Sequence, residues 1–153
     1  MAYNVFWIVE HRVLYIDESE QITLEDIRLS TRETAAAMDE AYQSGAALII
    51  GILNVSHADL SRLMRSVVTT TVDEIASVID PRLWKAKPGF IILITASETA
   101  KMLLSLVIRL SSQPMTTVGT VEEALTVVSY MYPELADALK SYRHDDRSAG
   151  TPS

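Results

Sequence analysis

The chain has no cysteine. That one absence excludes disulfides, thiolate zinc sites and cysteine nucleophiles together. Glycine is scarce, at five residues, and the five never fall into a G-x-G-x-x-G or P-loop spacing, so a cradled nucleotide phosphate has no support. The three histidines, His11, His57 and His144, fall on an expected hairpin turn, an expected loop and the tail. They form no H-x-x-x-H or H-E-x-x-H pair. The acidic stretch Asp17, Glu18, Glu20, Glu25, Asp26 lacks the spacing and the glycine of a calcium loop. Neither a metal nor a cofactor is expected.

Positive charge is also short: 13 basic residues face 20 acidic ones, for a net charge of -7. Nucleic-acid backbones are held by Lys/Arg surfaces. The short basic clusters here, Arg62/Arg65 and Arg82/Lys85/Lys87, have no interleaved aromatics and read as solvated surface. A nucleic-acid partner is therefore not expected. Long hydrophobic runs are missing too. The nearly apolar segments 46–53, 90–94 and 102–108 fall well below the ~20 residues that a membrane span requires. The opening MAYNVFWIVEH carries neither the basic region nor the apolar core of a signal peptide. The expectation is a cytoplasmic protein with no transmembrane segment.

What remains is the composition of an ordinary globular domain. The 153 residues are 48% hydrophobic and 22% charged. A chain of this size can bury about 70% of its extended surface without covalent staples.

Period-two alternation marks the start. Tyr3, Val5, Trp7 and Val9 face one way, Phe6 and Ile8 the other, and residues 13–17 repeat the pattern. The polar Glu10-His11-Arg12 between them predicts an antiparallel hairpin. Thr23 followed by Asp26 resembles a capping box. Ile27, Thr31, Thr34, Ala35, Met38 and Tyr42 then recur at helical spacing, and Gly45 closes a helix over 24–44. Residues 46–53, AALIIGIL, are apolar throughout, as a strand covered on both faces must be.

Asp59 can cap a helix carrying Leu60, Leu63, Met64, Val67 and Val68. The β-branched run 68–72 predicts a break, with more helix from Ile75 to Ile79 before Asp80-Pro81. Phe90 to Ile94 is a second fully apolar strand, and Ser97 caps a helix to about Ser111. Pro114 precedes a short strand, Met115 to Val118. Thr120 and Glu123 form a better capping box, and Pro133 predicts that the last helix bends or restarts. From Arg143 the chain turns polar, so residues 1–142 are expected to form one domain and 143–153 a disordered tail. The order β-β-α-β-α-β-α-β-α predicts an α/β fold with a mainly parallel sheet of about five strands and one antiparallel N-terminal hairpin strand.

These segments resemble the STAS family (sulfate transporter and anti-sigma factor antagonist domains), and within it a loose group of uncharacterised bacterial STAS-like proteins. The resemblance covers most of 3–140. It is carried by VFWIVEHRVLYID, TLEDI, ALIIGILNVS and TTVGTVEEAL. It implies a non-catalytic regulatory or binding module. Partner-switching STAS proteins carry an Asp-Ser-Ser-Gly-like segment after the buried strand. This chain has Asn54-Val-Ser56-His-Ala-Asp59-Leu-Ser61 there instead, so phosphorylation control does not carry over. The run FIILITA at 90–96 looks like a strand of response-regulator receivers, but the phosphoacceptor Asp and the late Lys are absent.

In parallel sheets ligands bind beyond the carboxyl ends of the strands. Asn54, Ser56 and His57 on one loop and Thr95, Ser97 and Glu98 on another are the ligand-binding candidates on that edge. Ser56, His57 and Asp59 invite comparison with a triad, yet near-adjacent side chains on one loop rarely converge, and no G-x-S-x-G elbow is present. Capping is the main role expected of Asp59 and Ser97.

In the helix after Ser97, Lys101, Ser105, Arg109 and Ser112 share one narrow stripe while apolar residues fill the rest. One sheet face covers a stripe little wider than ~100°. The remainder, carried by Met102, Leu103, Leu106, Val107 and Leu110, must pack against another helix of the domain, a second copy in an isologous dimer, a lipid or another protein. The leading expectation is a module that self-associates, most simply as a dimer, and binds a protein partner or small ligand. A lipid or membrane-surface binder is the second expectation. A small enzyme with its site at the strand edge is the third.

Overall fold

The computed structural model describes residues 2–63, 65, 72–84, 88–102, 105 and 114–149. Its ladder begins with the antiparallel pair β1 (Tyr3–Val9) and β2 (Val13–Gln21). The turn between them has no glycine. His11 takes the left-handed backbone instead (φ 58°), and Arg12 N–H donates to Val9 C=O at 3.0 Å. Helix α1 (Leu24–Gln43) follows, with Thr23 and Asp26 exchanging the two bonds of a capping box. It ends as glycine allows. Gly45 sits at φ 100°, its N–H donates to Tyr42 C=O, and the Ala46 N–H reaches back to Ala41 C=O, each at 3.0 Å.

β3 (Ile50–Asp59) lies parallel to β2, β4 (Phe90–Ile94) parallel to β3, and β5 (Met115–Val118) parallel to β4, in the sheet order β1-β2-β3-β4-β5. Between β3 and β4 lie helical residues 61–63, helix α2 (Val72–Ser77) and a 3-10 turn (Pro81–Trp84). Helical residues 98–102 follow β4. Helix α3 (Val121–Met131), a 3-10 turn (Pro133–Leu135) and helix α4 (Ala136–Ala149) close the chain. The fold is α/β with the expected order and one antiparallel strand.

Because the strand order advances in one direction, right-handed crossovers would all lie on one face. The packing agrees. Leu14, Ile16 and Ile49 meet Met38 and Ala41 of α1, while Val55 and Leu93 meet Leu60, Leu63 and Ala100. The opposite face carries Val13, Tyr15, Ile50, Ile52, Ile92 and Ile94 under Leu125, Val128, Leu135 and Leu139 of the C-terminal helices.

Both bounds of the central strand differ from the sequence reading. The central strand runs from Ile50 to Asp59, not over 46–53. Residues 46–49 belong to the exit from α1, and the ladder begins where Ile50 meets Val13. The strand continues past Leu53 because β2 also continues, pairing Ser19, Glu20 and Gln21 with His57, Ala58 and Asp59. The segment expected as a loop after Leu53 is therefore strand. At the other end, α4 runs to Ala149. The break expected over 68–72 falls almost wholly outside the described residues.

Candidate functional site

Beyond the carboxyl ends of β3 and β4 the two strands part, and an open cleft of about 630 Å³ lies between them. Its walls are the end of β3 (Val55, Ser56, Ala58, Asp59), the turn Leu60-Ser61, and Thr95 through Ala100 apart from Glu98. No reversal of strand order creates it. The cleft forms because the β2–β3 pair outruns β4, which ends at Ile94.

Of the six candidates from the sequence, Ser56, Thr95 and Ser97 line this cleft and Asn54, His57 and Glu98 do not. Asn54 is buried on the α3/α4 face. Its Nδ2 donates to Tyr15 Oη at 2.7 Å, and its Oδ1 accepts from Ser56 N–H at 3.0 Å and from Ser56 Oγ at 2.6 Å. Tyr15 in turn stacks on Phe6 at 5.1 Å between centroids. Asn54 thus ties the aromatic core to the cleft wall. Ser56 lines the cleft, while His57, the next residue of the strand, does not.

The cleft hydroxyls are largely engaged in holding the backbone. Thr95 is buried, its N–H donates to Val118 C=O at 3.0 Å, and its Oγ1 accepts from Ser97 N–H at 3.1 Å. Ser97 Oγ accepts from Ala100 N–H at 3.2 Å, the expected cap. Asp59 Oδ1 accepts from Ser61 N–H at 3.0 Å. Hydrogen bonds from the Ser61 backbone and side chain hold the Asp59 carboxyl below the usual carboxylate range. Thr95 and Ser97 use oxygen lone pairs in these bonds and keep hydroxyl protons to donate. Ser56 donates its proton to Asn54 and keeps lone pairs facing the cleft. The cleft therefore offers donors on the β4 side and acceptors, including an ionised carboxylate, on the β3 side. Among the described residues no group of three or more His, Asp or Glu side chains could hold a metal ion.

Sequence reasoning missed Ser61 and Thr99 in the lining, and it missed Glu18. Glu18 is 2% exposed on β2, and its Oε2 has no hydrogen-bond partner among the described residues. Burial pushes its carboxyl up to about 7, against a hydrogen bond to Ser30 that lowers it, with Asp26 and Asp17 adding to the rise. The signal was available: period two places Glu18 on the inward face with Leu14 and Ile16. Of the proposed interface residues, Met102 is 74% exposed. Leu103, Leu106, Val107 and Leu110 lie outside the described residues. No helix among the described residues is long and apolar enough to cross a membrane.

The chain is similar to a solved structure of an uncharacterised Shewanella loihica PV-4 protein from the DUF3478 family, described as having a SpoIIAA-like fold. Identity is 12% over 82% of this chain and 90% of that one, with a TM-score of 0.46. No family model matches the sequence, and no curated protein does.

Proposed function

We propose that this protein is a non-catalytic, STAS-like binding module of the cytoplasm that takes a small polar ligand or a partner segment in the cleft between β3 and β4, and that it self-associates. The observation that carries the reading is that Ser56 lines the cleft and His57 does not, which leaves the cleft with hydroxyls and a carboxylate but no imidazole base beside them. Engagement of Ser56, Thr95 and Ser97 in backbone and side-chain bonds further supports recognition over turnover, because each is fixed before any ligand arrives. The exposed Met102 favours self-association on the surface beside the cleft.

Amide NMR of the labelled chain against a library of small polar fragments tests the cleft. Fragments that bind are expected to move Ser56, Ser61, Ser97 and Thr99 together and to lose that effect in Thr99→Trp, which fills the cleft. Fragments that bind only elsewhere, or none that bind at all, would overturn the assignment.

A further inference from the structure

Glu18 is the one buried side-chain oxygen bearer among the described residues whose hydrogen bonding is incomplete. Its surroundings cannot supply what is missing. Tyr3 lies opposite it in the β1–β2 ladder, but the phenol donates to Glu33 Oε1 at 3.3 Å. Above it on α1, Thr34 Oγ1 donates to Ser30 C=O at 2.8 Å. Ser30 has one hydroxyl proton and two claimants, the Ile27 carbonyl at 3.2 Å and the Glu18 carboxyl. A protonated Glu18 resolves the conflict: its O–H donates to Ser30 Oγ, and Ser30 donates on to Ile27. An ionised Glu18 must compete for the Ser30 proton and still leaves one charged oxygen bare in the core. The charged groups that act on it, Asp26 from α1 and Asp17 from its own strand, are both acidic and raise it further. From β3 the Val55-Ser56 step lies opposite it, where the Ser56 hydroxyl donates to Asn54 Oδ1, with His57 further along opposite Ser19.

The location matters as much as the chemistry. The β2–β3 register slips between Asp17 and Ser19: Asp17 pairs with Asn54 but Ser19 pairs with His57, so Glu18 faces the extra residue in the Val55-Ser56 step. Those two residues line the cleft. Just beyond, Glu20 holds a left-handed backbone at φ 61°, and Ile22 N–H donates to Asp59 C=O at 3.1 Å. The end of β2 is thus fastened to the wall of the cleft through Ser19–His57, Glu20–Ala58, Gln21–Asp59 and Ile22–Asp59.

We propose that Glu18 is a proton-controlled brace for the cleft, neutral when the β2 end is seated under α1 and ionised when that end lifts to admit water, so that cleft geometry and proton occupancy of Glu18 are linked. The upward displacement of its carboxyl to about 7 places the exchange near neutral pH. Binding that needs the seated wall takes up a proton, and binding that needs the lifted wall releases one. The link rests on the cleft being the binding site, but the brace itself can be read without a ligand.

The experiment is an NMR titration of the full chain from pH 5.5 to 8.5, following the Glu18 side-chain carboxyl carbon and the amides of Ser56, Ala58 and Ser61. The carboxyl carbon and the three amides are expected to share one midpoint near 7. Glu18→Gln should abolish the amide titration, and His57→Gln should leave it in place. A carboxyl that titrates while the amides stay still would overturn the coupling. So would amide titration that survives in Glu18→Gln, and a carboxyl that does not titrate in this range would remove the brace altogether. A fragment screen that finds the cleft empty leaves all of these outcomes readable, so the two proposals fail separately.

Discussion

Glu18 and Asn54 are both polar, both nearly inaccessible and both on central strands, yet they bear on the fold in opposite ways. Asn54 has partners on both ends of its amide. Replacing it by Ala would leave the buried Tyr15 hydroxyl without its donor, and removing one side of a buried hydrogen bond costs roughly 1–3 kcal/mol. Urea denaturation should show that loss for Asn54→Ala, and a cycle with Tyr15→Phe should show the two changes to be strongly non-additive; additive losses would mean the bond contributes nothing. Glu18 makes stability depend on pH. Its carboxyl lies at 4.5 in the ordinary state and at about 7 when folded. Between those values the folded chain keeps a proton that the unfolded chain has released. The contribution is therefore full below pH 4.5 and is lost as pH rises through 7. At about 1.4 kcal/mol per unit the swing is on the order of 3 kcal/mol. Glu18→Gln, which stays neutral, should flatten the profile and be more stable than the parent at pH 8, as read by chemical denaturation at several pH values. At this scale the sequence offered types but not surroundings. Asn54 reads as a ligand group because it follows an apolar run, and only the ladder opposite shows that Tyr15 already holds it.

The elements were more legible, because their signals are local. Thr23 with Asp26, Thr120 with Glu123 and Gly45 are read from spacing alone; the first and the last do in the structure what their spacing predicts, while Thr120 caps its helix without the reciprocal bond of a capping box. Thr120 Oγ1 accepts from Glu123 N–H at 3.1 Å, and the Glu123 carboxylate reaches back to Gly119 N–H at 3.1 Å. Thr120→Ala should therefore lower the melting temperature by an amount equivalent to about 1 kcal/mol, with Thr120→Ser close to the parent. An unchanged melting temperature for the alanine variant would show that α3 is held by its packing on β3, β4 and β5 alone. The strand β3 was the least legible element, for a reason that is not local. Its second half, Asn-Val-Ser-His-Ala-Asp, has the composition of a loop. It is strand because Ser19 to Gln21 supply a neighbour, and a partner strand distant in sequence leaves no periodic mark on the one it pairs with. The cleft inherits that blindness: its wall is where the loop was expected.

For the molecule as a whole, the parallel ladder from β2 to β5 follows from two apolar strands that must be covered on both faces, and the sheet has them adjacent and parallel, Ile50 to Phe90 through Asn54 to Ile94. How copies of the molecule meet depends instead on the surface left over. Met102 is 74% exposed and Lys101 beside it is exposed as well, at the end of the described helical residues 98–102. A second copy brought up about a twofold axis would place Met102 near its own counterpart or near the same neighbours twice, so a single charge introduced there enters the interface twice. Light scattering at ~50 μM, where a micromolar dimer is well populated, should give twice the chain mass of 16.9 kDa for the parent and the single mass for Met102→Glu. Tyr130 supplies the control, since it is 87% exposed on α3, on the other side of the sheet, and Tyr130→Ser should leave the mass unchanged. A parent that stays monomeric over this range would sink self-association. A dimer that survives Met102→Glu but is lost in Tyr130→Ser would move the contact to the α3 face, away from the cleft.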